Sequence, residues 1–286
     1  MIELGDIQIN LINDGNILVD SGGPFGLVPR ALWSRYVEPV QDYLVPNTLI
    51  CLLIRVDGKN ILVDTGYGHE NDDRLARIVQ LDRSGGDLIA GLARAGLKPE
   101  DIDIVINTHL HYDHAGGNIY TDDSGNVHPA FPNAEYVVQR REYEDAVNPN
   151  ERTRATYIPM NYEPLVETGQ MRLLDGDTEI VPGVKGVMTP GHTPGHMSVI
   201  VERGDEKAMF VCDLASFAIH FEKLGWMTAY DVEPLVTLET KRIWQQWALE
   251  HNALLLFSHD RALPACRLTR QEDGKLKMVS VEVALT

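Results

Sequence analysis

The stretch "NTHLHYDHAGGN", residues 107–118, places His109, His111, Asp113 and His114 within six positions. Neutral imidazoles and carboxylates crowded this closely compete for one small volume unless a cation sits among them. Three further donors lie far along the chain: His192 in "TPGHTPGH", Asp213 in "VCDLAS" and His259 in "FSHD". This donor chemistry suits zinc, manganese, iron and cobalt alike. His109 and His111, two apart on an extended strand end, point to the same side and can serve one ion. Asp113 and His114 follow where the chain turns, and Gly116 and Gly117 permit that turn and a close helix start.

Each donor group is expected where a strand ends. "IDIVINTHLH" reads as a buried strand running into the histidine cluster. "GVKGVMTPGHTPGH" is a strand followed by a Pro/Gly loop, "KAMFVCDLAS" a strand ending at Asp213, and "ALLLFSHD" a strand ending at His259. Four strands thus carry a His or Asp to their C-terminal ends, where chains leaving a sheet can converge on one site.

The remaining elements follow from periodicity and turn chemistry. "TLICLLIRVDGKNILVDTG" predicts a hairpin around Asp-Gly-Lys-Asn, and residues 87–101 predict a helix punctuated by Gly96 and Pro99. "LETKRIWQQWALEHN" predicts an amphipathic helix with Ile243, Trp244, Trp247 and Ala248 inward. Residues 140–175 lack clean periodicity and are expected as an irregular insertion over the sheet edge. Residues 21–47 form an N-terminal arm or lid, whose Phe25, Leu27, Trp33 and Tyr36 offer an apolar wall, or else a packed arm or dimer contact.

The 286 residues show no repeat and no linker, so a single domain over 1–286 is expected. A net charge of −17 without any basic run excludes a nucleic-acid surface. No apolar stretch approaches the ~18 residues of a membrane span. The opening residues read as a strand and not as a leader-like segment, so a cytoplasmic protein is expected. Cys51, Cys212 and Cys266 are scattered and imply no disulfide framework.

The ordered set "ILVDTG" (with Asp64), "THLHYDHAGGN", "TPGHTPGH", "VCDLAS" and "FSHD" resembles the metallo-β-lactamase superfamily over roughly two hundred residues. The resemblance implies an α/β fold, the four-layer αβ/βα sandwich. It also implies two divalent metal ions, zinc first among the candidates. By the family pattern His109, His111 and His192 hold one, Asp113, His114 and His259 the other, and Asp213 bridges both. Asp113 and Asp213 would then be catalytic, serving a metal-bridged hydroxide. Asp64 is expected to orient a ligating imidazole, in competition with a turn-stabilising role beside Gly66. His196 is expected to support the site without binding metal. His69, His128, His220 and His251 read as surface or satisfied core residues. Cys212 would point its sulfur away from the metals by strand alternation.

Within the superfamily, Asp213 stands where true β-lactamases commonly carry Cys. Glyoxalase II-like thioesterases share the ligands, but their basic C-terminal helical region has no counterpart after His259. Mononuclear-iron persulfide dioxygenases do not need the second site that His114 and His259 would complete. "FSHDRALP" is similar to acyl-homoserine lactonases, and "TAYDVEPLVTLETKR" to methyl-parathion-hydrolase-like enzymes. Lactonases carry Tyr three residues after the bridging Asp, where this chain has Ser216. A hydrogen bond to the substrate carbonyl then falls to Tyr112 or Tyr230, or is missing. The expected function is a dinuclear metal-dependent hydrolase of lactones or esters, acyl-homoserine lactones among them, with phosphotriesterase side activity. A glyoxalase II-like thioesterase, a persulfide dioxygenase and a non-catalytic metal-binding protein stand as alternatives. The partner is a small-molecule substrate, and a homodimer is left open.

Overall fold

The opening alternation of apolar and polar residues becomes β1 (Ile2–Leu4) and the 14-residue β2 (Ile7–Asp20). The computed structural model describes residues 1–41, 43–71 and 73–285; Asp42, inside the 21–47 arm, lies outside the described residues, as do Asp72 and Thr286. The arm holds two single helical turns, α1 (Gly22–Phe25) and α2 (Arg30–Trp33). Its last residues already belong to β3 (Leu44–Val56), which pairs with β4 (Lys59–Val63) in the expected hairpin. Asp57 and Gly58 make its two-residue turn with φ of 48° and 75°, the geometry that matches strand twist.

α3 (Asp73–Ile78) and α4 (Leu88–Arg94) follow, the latter capped by Asp87, whose carboxylate accepts from Ala90 N. Then come β5 (Ile104–Ile106), α5 (Tyr112–Ala115), the small hairpin β6 (Ile119–Thr121) and β7 (Val127–Pro129), and β8 (Glu135–Gln139). Residues 140–175 are more regular than their pattern predicts. They contain α6 (Arg140–Val147), α7 (Glu163–Glu167) and β9 (Met171–Leu174), which pairs in parallel with β8. α6 hides from a periodicity argument because its inward anchor is polar. Buried Glu142 accepts from Leu110 N and from the Tyr157 hydroxyl.

The second half builds β10 (Thr178–Val181), β11 (Val184–Met188), β12 (Met197–Arg203) and β13 (Glu206–Phe210). After α8 (Ala218–Glu222) and α9 (Pro234–Glu250) come β14 (Leu254–Leu256), β15 (Ala265–Arg270) and β16 (Leu276–Ser280). Two seven-stranded sheets result, ordered β1-β2-β3-β4-β5-β8-β9 and β10-β11-β12-β13-β14-β15-β16. β4, β5, β8 and β9 run parallel, as do β13 and β14, so their C-terminal ends share an edge within each sheet. The α/β class expected from the sequence is the one present.

The chain divides into two compact units, one built mainly of Met1–Asn16 and Leu49–Thr178, the other of Ile17–Thr48 and Glu179–Val283. β2 and β3 each run on from one unit into the other. The first unit packs Ile12, Leu53, Leu62, Leu92, Val105 and Tyr136 in its core. The second packs Val187, Met209, Phe221, Leu255 and Phe257. Among the described residues, no helix is long and apolar enough to cross a membrane.

Two expectations about apolar faces are corrected. In the arm, Phe25 and Trp33 stack at 4.7 Å and are buried with Val45, Phe217 and Ile219, whereas Leu27 is fully exposed and Tyr36 half-exposed. Half of the predicted wall is therefore core. On α9, Ile243 faces outward at 65% exposure, Ala248 is buried, and Trp244 and Trp247 pack at the core margin. The most buried stripe is instead Thr237, Lys241, Gln245 and Ala248, at steps of four and three. Lys241 Nζ donates to the carbonyls of His220 and Trp226, and Gln245 Nε2 to those of Phe221 and Glu222. Polar side chains face inward here because α8 ends there with carbonyls to satisfy.

Burial pushes the Lys241 ammonium from 10.5 down to about 8, partly opposed by Asp231. Between those values the unfolded chain binds the extra proton, so this lysine makes stability rise with pH across that window. Lys241→Met should flatten the rise, enlarging the wild-type advantage by about 1–3 kcal/mol between pH 8 and pH 10. Urea melts at the two pH values measure it, and parallel curves for both proteins would refute the assignment.

Candidate metal centre

The donors of the first unit gather after β5. β5 ends at Ile106 and the chain bends at Thr108, so the donors follow the strand instead of lying on it, and His111 caps α5 with φ −63° and ψ 150°. The rings of His109 and His111 lie 4.5 Å apart, and those of His109 and His114 lie 4.2 Å apart. Ligand atoms of His109 come within 4.8 Å of one on His111 and one on His114, and Asp113 is equally near His114. All three imidazoles are buried, and Asp113 is partly exposed.

Asp64 sets the orientation of two of these rings. Its carboxylate accepts from His114 Nδ1 at 2.9 Å, from Thr108 N at 2.8 Å and from the Thr108 hydroxyl. That hydroxyl is in turn 3.1 Å from His109 Nδ1. With both Nδ1 atoms facing acceptors, the Nε2 lone pairs of His109 and His114 are the ones available to a cation. Asp64 holds this place at φ 58°, a left-handed conformation uncommon for a non-glycine residue. Glu142, which sequence reasoning did not single out, anchors the same stretch through Leu110 N.

Gly116 serves a different purpose from the one expected. Its φ is −63°, so no unusual turn demands it. A Cβ there would lie 2.0 Å from the Tyr67 carbonyl oxygen, and one on Gly117 2.4 Å from that of Thr65. The glycines let the segment after α5 press against the Thr65–Gly68 backbone, where Gly116 N donates to Gly66 O.

In the second unit His192, Asp213 and His259 come together. His192 Nε2 is 3.3 Å from Asp213 Oδ2, and His259 Nε2 is 3.0 Å from Asp213 Oδ1. His259 Nδ1 faces the Thr48 carbonyl at 2.7 Å, and His192 Nδ1 faces Asp231 Oδ1 at 3.1 Å. A carbonyl can only accept, so His259 Nδ1 carries a proton and its Nε2 offers a lone pair to a carboxylate oxygen. Two lone pairs at that distance repel unless a proton or a metal cation lies between them. The donor set therefore fits divalent cations, by its own chemistry.

Supporting residues complete this half. Thr228 donates to Asp231 at 2.8 Å, and Val232 N to the His192 carbonyl. Gly191, at φ 137°, leaves no room for a Cβ, which would lie 2.5 Å from the Thr237 backbone. His196 accepts from Asp213 N through Nε2 and turns Nδ1 to the Thr189 carbonyl at 3.1 Å. Both of its nitrogens are used within the protein, as its supporting role requires. Asp231 is the Asp of the Asp-x-x-P in "TAYDVEPLVTLETKR", the stretch similar to methyl-parathion-hydrolase-like enzymes, but its hold on His192 was not read from sequence.

Cys212 departs from its expected setting. It lies in a 3-10 turn over Cys212–Leu214 with φ 50°, not on a strand, so alternation does not direct its sulfur. The sulfur lies within 4.8 Å of a His196 ring nitrogen, fully buried. Of the other histidines, His69 pairs with Asp87 and His128 with Asp122, while His251 is exposed against Trp247. His220 is neither surface nor satisfied: it is buried, and neither ring nitrogen has a hydrogen-bond partner. Tyr112 packs edge-on against Tyr67, and Tyr230 closes on Gly23.

Comparison with known proteins identifies the family. Residues 51–240 match the model of the metallo-β-lactamase superfamily, and the chain belongs to that family. An N-acyl homoserine lactonase of Bacillus cereus is 31% identical over 241 residues, covering 77% of this chain and 86% of that protein. A probable metal-dependent hydrolase from Staphylococcus aureus superposes with a TM-score of 0.87 at 31% identity, over 99% of this chain and 100% of that one. AidC, a dizinc quorum-quenching lactonase solved with a product, shares the fold at a TM-score of 0.81 and 20% identity, over 99% and 97% of the chains. The protein is a metal-dependent hydrolase of the lactonase branch.

If Asp64 and Asp231 fix imidazole tautomers, Asp64→Asn and Asp231→Asn should each weaken metal binding by about 10–100-fold. Asp64→Asn should show the larger loss, because two rings depend on it. Chelator competition measures both, and unchanged affinity would reduce these carboxylates to packing.

Proposed function

We propose a dinuclear metal centre that opens lactone rings, with N-acyl homoserine lactones as the substrate class. In this reading His109, His111 and His192 hold one ion, Asp113, His114 and His259 the other, and Asp213 spans the two. The reading rests on one observation above all: the two oxygens of Asp213 each face an imidazole Nε2, at 3.3 and 3.0 Å. A carboxylate presented that way suits a bridge between two cations. Two divalent ions held there, zinc by analogy with the dizinc relative, would acidify a shared water and polarise the scissile carbonyl.

The chain's own residues do the rest. Asp64, Asp231 and the Thr48 carbonyl hold the imidazoles in the tautomer that exposes Nε2. His196 fixes the Asp213 backbone. Asp113, the partly exposed donor, would take a proton from the attacking water and return it to the ring oxygen as that oxygen leaves. Lactonase relatives favour a lactone over the thioester and persulfide alternatives.

A panel of N-acyl homoserine lactones, aryl esters, thioesters and phosphotriesters, assayed on metal-reconstituted protein, tests the substrate class. The lactones should turn over fastest, with weak phosphotriester cleavage. Oxygen consumption with a persulfide and a single bound iron would replace the reading altogether.

Asp213→Ala should lower turnover by orders of magnitude, since the separation of the ions then has no bridge. Near-native rates with full metal content would remove Asp213 from that role. His259→Ala should leave the three-histidine site of His109, His111 and His192 intact. Metal analysis should then fall from about two ions per chain toward one. Two retained ions would place His259 outside the ligand set.

A further inference from the structure

Among the described residues, His220 is the buried histidine for which neither ring nitrogen finds a hydrogen-bond partner. It lies on α8 at 1% exposure. Phe25 and Phe217 each present to its ring at 5.3 Å, edge to face. A neutral imidazole in that cage carries an unmet donor and an unmet acceptor, both costly in apolar surroundings. A phenylalanine would fill the same volume without that cost.

The surroundings hold this ring in place at considerable expense of polar groups. Asp260, next to His259, accepts from Ala218 N at 3.0 Å and so ties the start of α8 to the end of β14. Fully buried Lys241 donates to the His220 carbonyl at 3.0 Å, and Gln245 secures the next two carbonyls. The backbone of α8 is thus satisfied at both ends, while its inward imidazole is not. Burial, aided by the positive charge of Lys241 and opposed by the negative charge of Asp213, pushes the ring's pKa down to about 3 and holds it neutral. Asp213 lies in the turn just before α8, and Asp260 anchors the first N–H of α8 beside His259, so the ring sits on an element rooted among the donors. Phe25, which covers one side, sits in a four-residue helical turn just before Gly26 at φ 47°, beside fully exposed Leu27.

We propose that His220 is a substrate-contacting residue, whose ring N–H donates a hydrogen bond to a carbonyl oxygen of an ester or lactone substrate. The inference rests on the hydrolase reading of the centre and names a residue that reading does not use. His220 breaks and forms no covalent bond; it positions the substrate and polarises its carbonyl.

The test compares His220→Phe and His220→Gln with the wild type in three measurements. These are melting of the metal-free protein, metal content, and kcat and KM on N-hexanoyl-homoserine lactone. His220→Phe should melt at or above the wild-type temperature and keep its metal, yet lose about tenfold or more in kcat/KM. His220→Gln retains an N–H donor and should recover much of that loss. A kcat/KM within twofold of wild type in His220→Phe would make the ring an inert core residue and overturn the proposal. Should His220→Phe fail to fold, His220→Met against His220→Gln gives the same comparison. If wild-type protein hydrolyses no lactone or ester, the hydrolase reading fails separately. Calorimetric binding of N-hexanoyl-homoserine then decides: weaker binding by the variant supports the contact, and equal binding or none by either protein overturns it.

Discussion

The most demanding contact in the second unit is the approach of two imidazole lone pairs to the oxygens of one carboxylate. His192 and His259 face Asp213 at 3.3 and 3.0 Å, and the Thr48 carbonyl commits the His259 proton to the opposite side of its ring. Such an arrangement is repulsive unless positive charge enters, and much of the surrounding backbone exists to maintain it. Asp213 sits behind a strained Cys212 at φ 50°, with its N–H tied to His196. Strain of this kind persists only where neighbouring structure over-determines it. The strand β14 and the start of β3 supply the rigid ends from which His259 and Thr48 meet.

The same logic shapes the first unit with different parts. Asp64, also at positive φ, gathers His114 directly and His109 through Thr108. Glu142 then ties the segment between His109 and His111 to α6. Each unit therefore presents imidazoles whose tautomers are chosen by buried oxygen atoms. An imidazole so arranged loses little freedom when a cation arrives, and preorganisation of this type strengthens binding without any added ligand. In both units the donors follow the C-terminal ends of strands, where a chain leaving a sheet has freedom to turn while its root stays fixed.

The second unit also spends polar groups on α8, a five-residue helix. Lys241 and Gln245 project from α9 into its final carbonyls, and Asp260 receives its first N–H. Buried lysine is costly, and its low pKa reflects that cost. The gain is a fixed position for the segment that runs from Asp213 to Trp226, including the aromatic cluster of Phe25, Phe217 and His220. The arm over 21–47 joins this cluster through buried Phe25 and Trp33, which makes it an integral part of the core and not a detached flap.

The sequence alone determined the donor chemistry and the strand ends that carry it. The spacing of His109, His111, Asp113 and His114 is local, and so are the apolar runs before His192, Asp213 and His259. Local features survive translation into structure because hydrogen bonding along each strand depends on near neighbours. Tertiary structure decided whatever depends on residues distant in sequence. Asp231 and Thr48 orient imidazoles 39 and 211 residues away; the stretch around Asp231 stood out by resemblance, but neither neighbourhood names the imidazole it serves. The inner face of α9 was misread because inward lysine and glutamine answer carbonyls more than fifteen residues upstream. Gly116 looked like a turn residue, yet it is required by the Tyr67 backbone pressing against it. Periodicity records which residues avoid water; which polar groups must meet in its absence is settled only once the chain has folded.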